Sequence, residues 1–199
     1  MMRKTLTSFC ILSLAMLFAA CDSQRSKNQN PGGSATVEMT KPADDELILR
    51  LSADLVPNAQ TPAGRDRNAL INYAIDHALD VQATASGLYY QVLSEGTGEL
   101  LKWGDRVSAH YTGNFLDGEE FDSSYRRNKP IEFYIGNMID GWNEGLQLLR
   151  PGGKIRLLVP SKLGYAAEGL KGANDRTIVP PDAVLIFYIE ILEKLEKQE

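Results

Sequence analysis

Cysteine and histidine are scarce: the 199 residues hold two of each, Cys10 and Cys21, His77 and His110. A zinc site gathers three or four such ligands, so a metal would have to rest on carboxylates, and no clustered set of them stands out. Basic excess is lacking as well. The 21 Lys and Arg face 26 Asp and Glu, a net charge of −5, which leaves little to neutralise phosphates and argues against nucleic acid as a partner. The apolar run at residues 9–18 is too short to cross a bilayer as a mature helix. Nucleophile signatures are missing too. Ser123 and Ser124 have no G-x-S-x-G setting, and Gly152-Gly153-Lys154 lacks the spacing and hydroxyl residue of a phosphate-binding loop. No cofactor is implied. What is present, 43% hydrophobic and 24% charged residues, is the composition of a folded chain, and the length fits one ordinary domain with additional segments.

The N-terminus reads as an address. Arg3 and Lys4 precede the apolar run, and Ala19-Ala20-Cys21 follows it, the order of a secretory signal. Small residues just before a Cys resemble the lipobox of bacterial lipoproteins. That resemblance implies a signal peptide at residues 1–20, lipidation of Cys21 and a lipid-anchored place in the bacterial cell envelope, with the leaflet left open. Cleavage there removes Arg3, Lys4 and no acid, taking the net charge from −5 to −7. Cys21 would then be the mature chain's one cysteine, and no disulfide could form within it. Residues 21–43 are rich in Ser, Asn, Gln, Gly and Lys, a composition that cannot bury enough apolar area to offset ordering. They are expected to be a flexible tether.

Residues 44–85 form a helical segment in this reading. Leu47, Ile48, Leu51 and Leu55 share one helical face before Pro57, and Leu70, Ile71, Ala74, Ile75, Ala78 and Leu79 form a longer stripe over 66–81. Two uses are open for these stripes, packing on the chain's own sheet or a dimer seam. His77 falls toward the polar side as a surface residue.

From Gly87 the period changes to two. Leu88, Tyr90 and Val92; Val107, Ala109 and Tyr111; Ile131, Phe133 and Ile135; Ile155, Leu157 and Val159; and Leu185, Phe187, Ile189 and Ile191 alternate with their neighbours, and glycine turns separate the runs. One helix interrupts them, with Ile139, Trp142, Leu146 and Leu149 on one face and Pro151 as its stop. Strands without alternating helices imply antiparallel pairing, and a lone amphipathic helix must bury its stripe on that sheet. The expected fold is α+β: a curved antiparallel half-barrel around one short α-helix, preceded by N-terminal helices.

VSAHYTG at 107–113, Asp117-Gly118, FDSS at 121–124, RNKP at 127–130, Gly141-Trp142 with Glu144-Gly145, and IVPP at 178–181 followed by Leu185 and Phe187 stand in order. Together these blocks resemble the FKBP-type peptidyl-prolyl cis-trans isomerases, with residues 86–199 as the isomerase domain. The resemblance implies a proline pocket made by Tyr111, Phe121, Asp122, Ile139, Trp142, Tyr165 and Phe187. Trp142 would be its floor, and the Ile139 N–H and Tyr165 hydroxyl would donate to substrate carbonyls. Arg127, Ile131, Met138, Ile178 and Val179 would line the substrate path. The implied partners are proline-containing polypeptides and macrolide-type inhibitors. Asp122 is read as orienting Tyr111 or Arg127 rather than as a general acid, and His110, on the opposite strand face from Tyr111, as structural. Ile131 stands where many relatives carry Phe, the stretch from Gly136 to Trp142 is shorter than in small prototypes, and residues 170–177 lengthen a loop.

Overall fold

The computed structural model describes residues 44–196. The signal peptide, Cys21 and the tether lie outside the described residues. The chain order is α1 (Asp44–Ser52), α2 (Pro62–Asp76), β1 (Gln82–Ala83), β2 (Tyr89–Ser94), β3 (Arg106–Asn114), β4 (Glu120–Ser123), β5 (Ile131–Tyr134), α3 (Asp140–Gly145), β6 (Lys154–Val159), β7 (Leu170–Lys171), β8 (Thr177–Val179) and β9 (Leu185–Leu195). Every strand pairing is antiparallel, and the main sheet runs β1-β2-β6-β9-β3-β4 with β5 also on β3. One edge of β3 pairs with β9 along its whole length, and the other divides between β5 and β4. The sheet stays open and does not close into a barrel, as the period-two runs led one to expect.

Helix α3 is short, and its glycines explain how it sits. Gly141 and Gly145 are one turn apart, and a Cβ on either would fall 2.8 Å from Val159 or 2.6 Å from Leu157 of β6. The bare helix backbone therefore lies directly on the strand. Trp142, Leu146 and Leu149 are carried into a core with Val107, Ala109, Leu157, Phe187 and Ile189.

The opposite face of the sheet is partly covered by the N-terminal helices. Tyr89, Leu158 and Ile186 stand side by side across β2, β6 and β9. Leu47, Leu51, Leu70, Ile71 and Ala74 bury them in a second core. The chain's own sheet thus occupies the apolar stripe that also suited a dimer seam. A buried carboxylate fixes the junction: Asp66 of α2 accepts the Ser161 backbone N–H at 2.9 Å and its hydroxyl at 2.6 Å.

Two helix boundaries differ from the sequence expectation. Helix α2 begins before residue 66 because Thr61 caps it, accepting the Gly64 N–H at 3.1 Å, with Pro62 in the first turn. It ends before residue 81 because Ala78 takes the left-handed conformation, φ 49°. The Leu79 N–H then reaches back to the Ala74 carbonyl at 2.8 Å, closing a Schellman-type end with alanine in the position glycine usually fills. In α1, Ile48 remains 42% exposed. Residues 170–177, expected as a longer loop, form most of the small β7–β8 hairpin, which closes with Leu170 opposite Val179.

Candidate active site

Alternation along β3 points Tyr111 into the core, and the T-shaped ring contacts follow from where helix α3 places Trp142 and strand β9 places Phe187. The Trp142 ring centroid lies 5.1 Å from that of Tyr111 and 5.3 Å from that of Phe187, both edge-to-face, and 5.6 Å from that of Phe133. Phe121 of β4 meets Phe187 edge-on at 5.7 Å. Trp142 and Phe187 are almost wholly buried, whereas Phe121, Ile131, Met138, Ile139, Tyr165 and Ile178 are partly exposed and pack against the same core. The buried rings therefore form a base with a half-exposed apolar rim. Beside the rim, a groove of about 740 Å³ separates the β4 hairpin from the β7–β8 hairpin, with Phe121 and Ile178 among its walls.

Three polar side chains lock together at one edge. The Tyr111 hydroxyl donates to one Asp122 oxygen and the Arg127 guanidinium to the other, while a second Arg127 nitrogen donates to the Tyr111 oxygen at 2.9 Å. Arg127 also lies 5.7 Å from the Tyr111 ring centroid. Burial alone would raise the Asp122 pKa, but the bonds from Tyr111 and Arg127 outweigh it and hold the carboxyl below its ordinary value. Burial and the bond to Asp122 push the Tyr111 hydroxyl up to about 12, so it remains a donor. Burial also raises Tyr165, and the Asp122 charge adds to the shift.

Two of the residues expected along the substrate path are not at the apolar rim. Val179 is 1% exposed and belongs to the core. Adjacent strand residues point to opposite faces, so with Ile178 at the rim its neighbour is turned inward. Arg127 is committed to Asp122 and Tyr111 rather than turned toward the apolar rim. His110 faces away from the rings, with Nδ1 2.9 Å from the Ser124 hydroxyl and its ring stacked on Tyr125. Ser124 is fully buried, and its oxygen accepts the Tyr111 N–H at 2.8 Å. Among the described residues, no three His, Cys, Asp or Glu side chains gather as a metal site requires.

Residues 98–192 match the model of the FKBP-type peptidyl-prolyl cis-trans isomerase family. The crystal structure of AtFKBP13 is 34% identical and superimposes with a TM-score of 0.53, covering 58% of this chain and 99% of that one. The chain belongs to the FKBP family. The crystal structure of FkpA from Escherichia coli is likewise 34% identical, with a TM-score of 0.57 over 73% of this chain and 63% of that one. By sequence, a probable FKBP-type isomerase of Haemophilus influenzae is 44% identical over 60% of this chain and 48% of its own length. FkpA of Aeromonas hydrophila is 36% identical over 83% of this chain and 62% of its own length. The chain thus spans about half the length of the first of these curated relatives.

Within this FKBP domain the structure adds residues to the site that the motif reading passed over. Phe133 touches Trp142 and was legible only as one of the alternating core positions. Gly113, opposite Phe187 in the sheet, leaves room for the ring pair, since a Cβ there would fall 2.6 Å from Phe121 and 2.9 Å from Phe187. Its place at the end of VSAHYTG was the available signal. Asn143, between Trp142 and Glu144, had none. Its side chain binds backbone of the 136–138 turn, a partnership set by the shape of that turn and not by any periodic pattern.

Proposed function

We propose that the chain is a peptidyl-prolyl cis-trans isomerase acting on Xaa-Pro bonds of extracytoplasmic proteins, assisting their folding at the bacterial cell envelope from a lipid anchor on Cys21. The observation that carries this reading is the buried Trp142 base under a partly exposed apolar rim, an arrangement whose chemistry needs no nucleophile. An amide resists rotation by about 18–20 kcal/mol because resonance gives its C–N bond double-bond character. At Xaa-Pro both isomers are populated and exchange slowly. A proline ring gripped against Trp142 by Tyr111, Phe121 and Phe187 leaves water, and dry surroundings favour the twisted, less charge-separated amide over the planar one. The Ile139 N–H and the Tyr165 hydroxyl would hold the substrate carbonyls. About 5 kcal/mol of such preference corresponds to a few thousandfold in rate. Macrolide-type inhibitors would compete for the same surface.

The test is a protease-coupled isomerisation assay with the fragment from residue 44 onward on apolar-Pro peptides, where acceleration well above the buffer background is expected. Binding of the peptides with no acceleration would favour a proline-segment-binding chaperone instead. For the anchor, Cys21→Ser is expected to move the protein from the membrane to the soluble fraction without changing its melting temperature. Continued sedimentation with membranes in the absence of detergent would refute lipidation at Cys21.

A further inference from the structure

The peptide unit between Met138 and Ile139 holds its carbonyl and its N–H in one plane, pointing in opposite directions. The carbonyl end is secured from inside the protein: Asn143 Nδ2 donates to the Met138 oxygen at 2.6 Å. The oxygen of the same amide accepts the Gly136 N–H at 2.8 Å and the Met138 N–H at 3.2 Å. That set of two donors and one acceptor leaves a single orientation for the Asn143 side chain. The Asn143 backbone N–H also holds the Ile139 carbonyl at 3.0 Å. Asn143 is only 4% exposed, so these bonds face no competition from bulk water. On the outer side the turn rests against Trp103. Gly136 has φ 116°, and a Cβ there would fall 2.6 Å from the indole. Among the described residues the Ile139 N–H donates to no protein group.

We infer that Asn143 is a positioning residue that aims the Ile139 N–H at the substrate by anchoring the carbonyl of the same peptide unit, an inference that rests on the isomerase reading above. With the Met138 oxygen tied inward, the N–H must point the other way, toward the apolar rim. The bond to the carbonyl also polarises the unit and strengthens the donor.

Asn143→Asp isolates the effect, because it keeps the shape and both acceptor contacts and replaces only the donor with an oxygen facing the Met138 carbonyl. A residue that merely ties down the turn would be largely replaced by Asp. A residue that aims the N–H would not. The expected result is a folded protein whose Ile139 amide resonance moves in 15N-resolved NMR spectra and whose kcat/KM falls about a hundredfold, the scale of an ångström's misplacement. Asn143→Ala, which adds no charge, carries the same expectation if the aspartate variant does not fold. Wild-type kcat/KM in either folded variant overturns the inference, as does an unmoved Ile139 resonance. If the unmodified protein is itself inactive, it is the isomerase reading that falls, and the Ile139 resonance still decides whether Asn143 orients that peptide.

Discussion

Trp142→Ala is expected to lower the melting temperature by about 10 °C or more and to abolish measurable isomerisation. The indole is 2% exposed and meets Tyr111, Phe133 and Phe187. Truncating a buried aromatic costs about 3–5 kcal/mol, a large part of the roughly 5–15 kcal/mol that holds a domain together. At about 2–4 °C per kcal/mol for a domain of this size, the shift is well within reach of a thermal melt. Helix α3 makes the site especially dependent on this ring. With two glycines among six residues, DGWNEG, it has little stability of its own, and Trp142 is the large side chain that fastens it to the sheet. Among the described residues no protein group accepts the indole N–H, so Trp142→Phe gives up packing volume and no bond to the protein, and a markedly smaller loss is expected. Thermal melts of both variants check this. A Trp142→Ala protein melting within a few degrees of the parent would contradict the buried-base account.

Asp122→Val is expected to separate turnover from folding in the other direction, lowering kcat/KM by tenfold or more with little change in melting temperature. The carboxylate joins Tyr111 to Arg127 at the edge of the site, and its loss frees both groups. A lost hydrogen bond to a buried partner costs about 1–3 kcal/mol. The Asp122 side chain is 37% exposed, and solvent screening brings the stability effect toward the low end or below it. The pH dependence has a definite sign. Because the folded-state pKa lies below the unfolded one, the Asp122 contribution is complete above the ordinary carboxylate range. It is lost as the pH falls below about 4 and through the folded value. Acid melting curves of the parent should therefore show a loss between neutral and strongly acidic pH that is smaller in Asp122→Val. Unchanged turnover in the variant would mean that the carboxylate neither orients Tyr111 nor acts on substrate, and that exclusion of water by the aromatic rings is the whole mechanism.

The sequence by itself determined the class of fold and most of the ring set. Alternation over 107–111, 155–159 and 185–191 is a local property of extended chain, and a face that must be buried admits one register. The runs therefore announced β3, β6 and β9, the antiparallel pairing, and the inward direction of Tyr111 and Phe187. The stripe of Trp142, Leu146 and Leu149 announced the helix they enclose. Tertiary structure decided what depends on how the turns and elements come together. It turned Val179 into the core and left Ile178 at the rim, a choice between two adjacent apolar residues that no local pattern makes. It joined Arg127 to Asp122 and Tyr111, and laid α1 and α2 over Tyr89, Leu158 and Ile186. It also placed the Asn143 amide on the Met138 carbonyl. The physical reason is common to all of these. Periodicity records which side of an element is apolar, whereas the partner that a charge or an amide finds depends on how the backbone turns between elements and which groups then come within hydrogen-bonding distance.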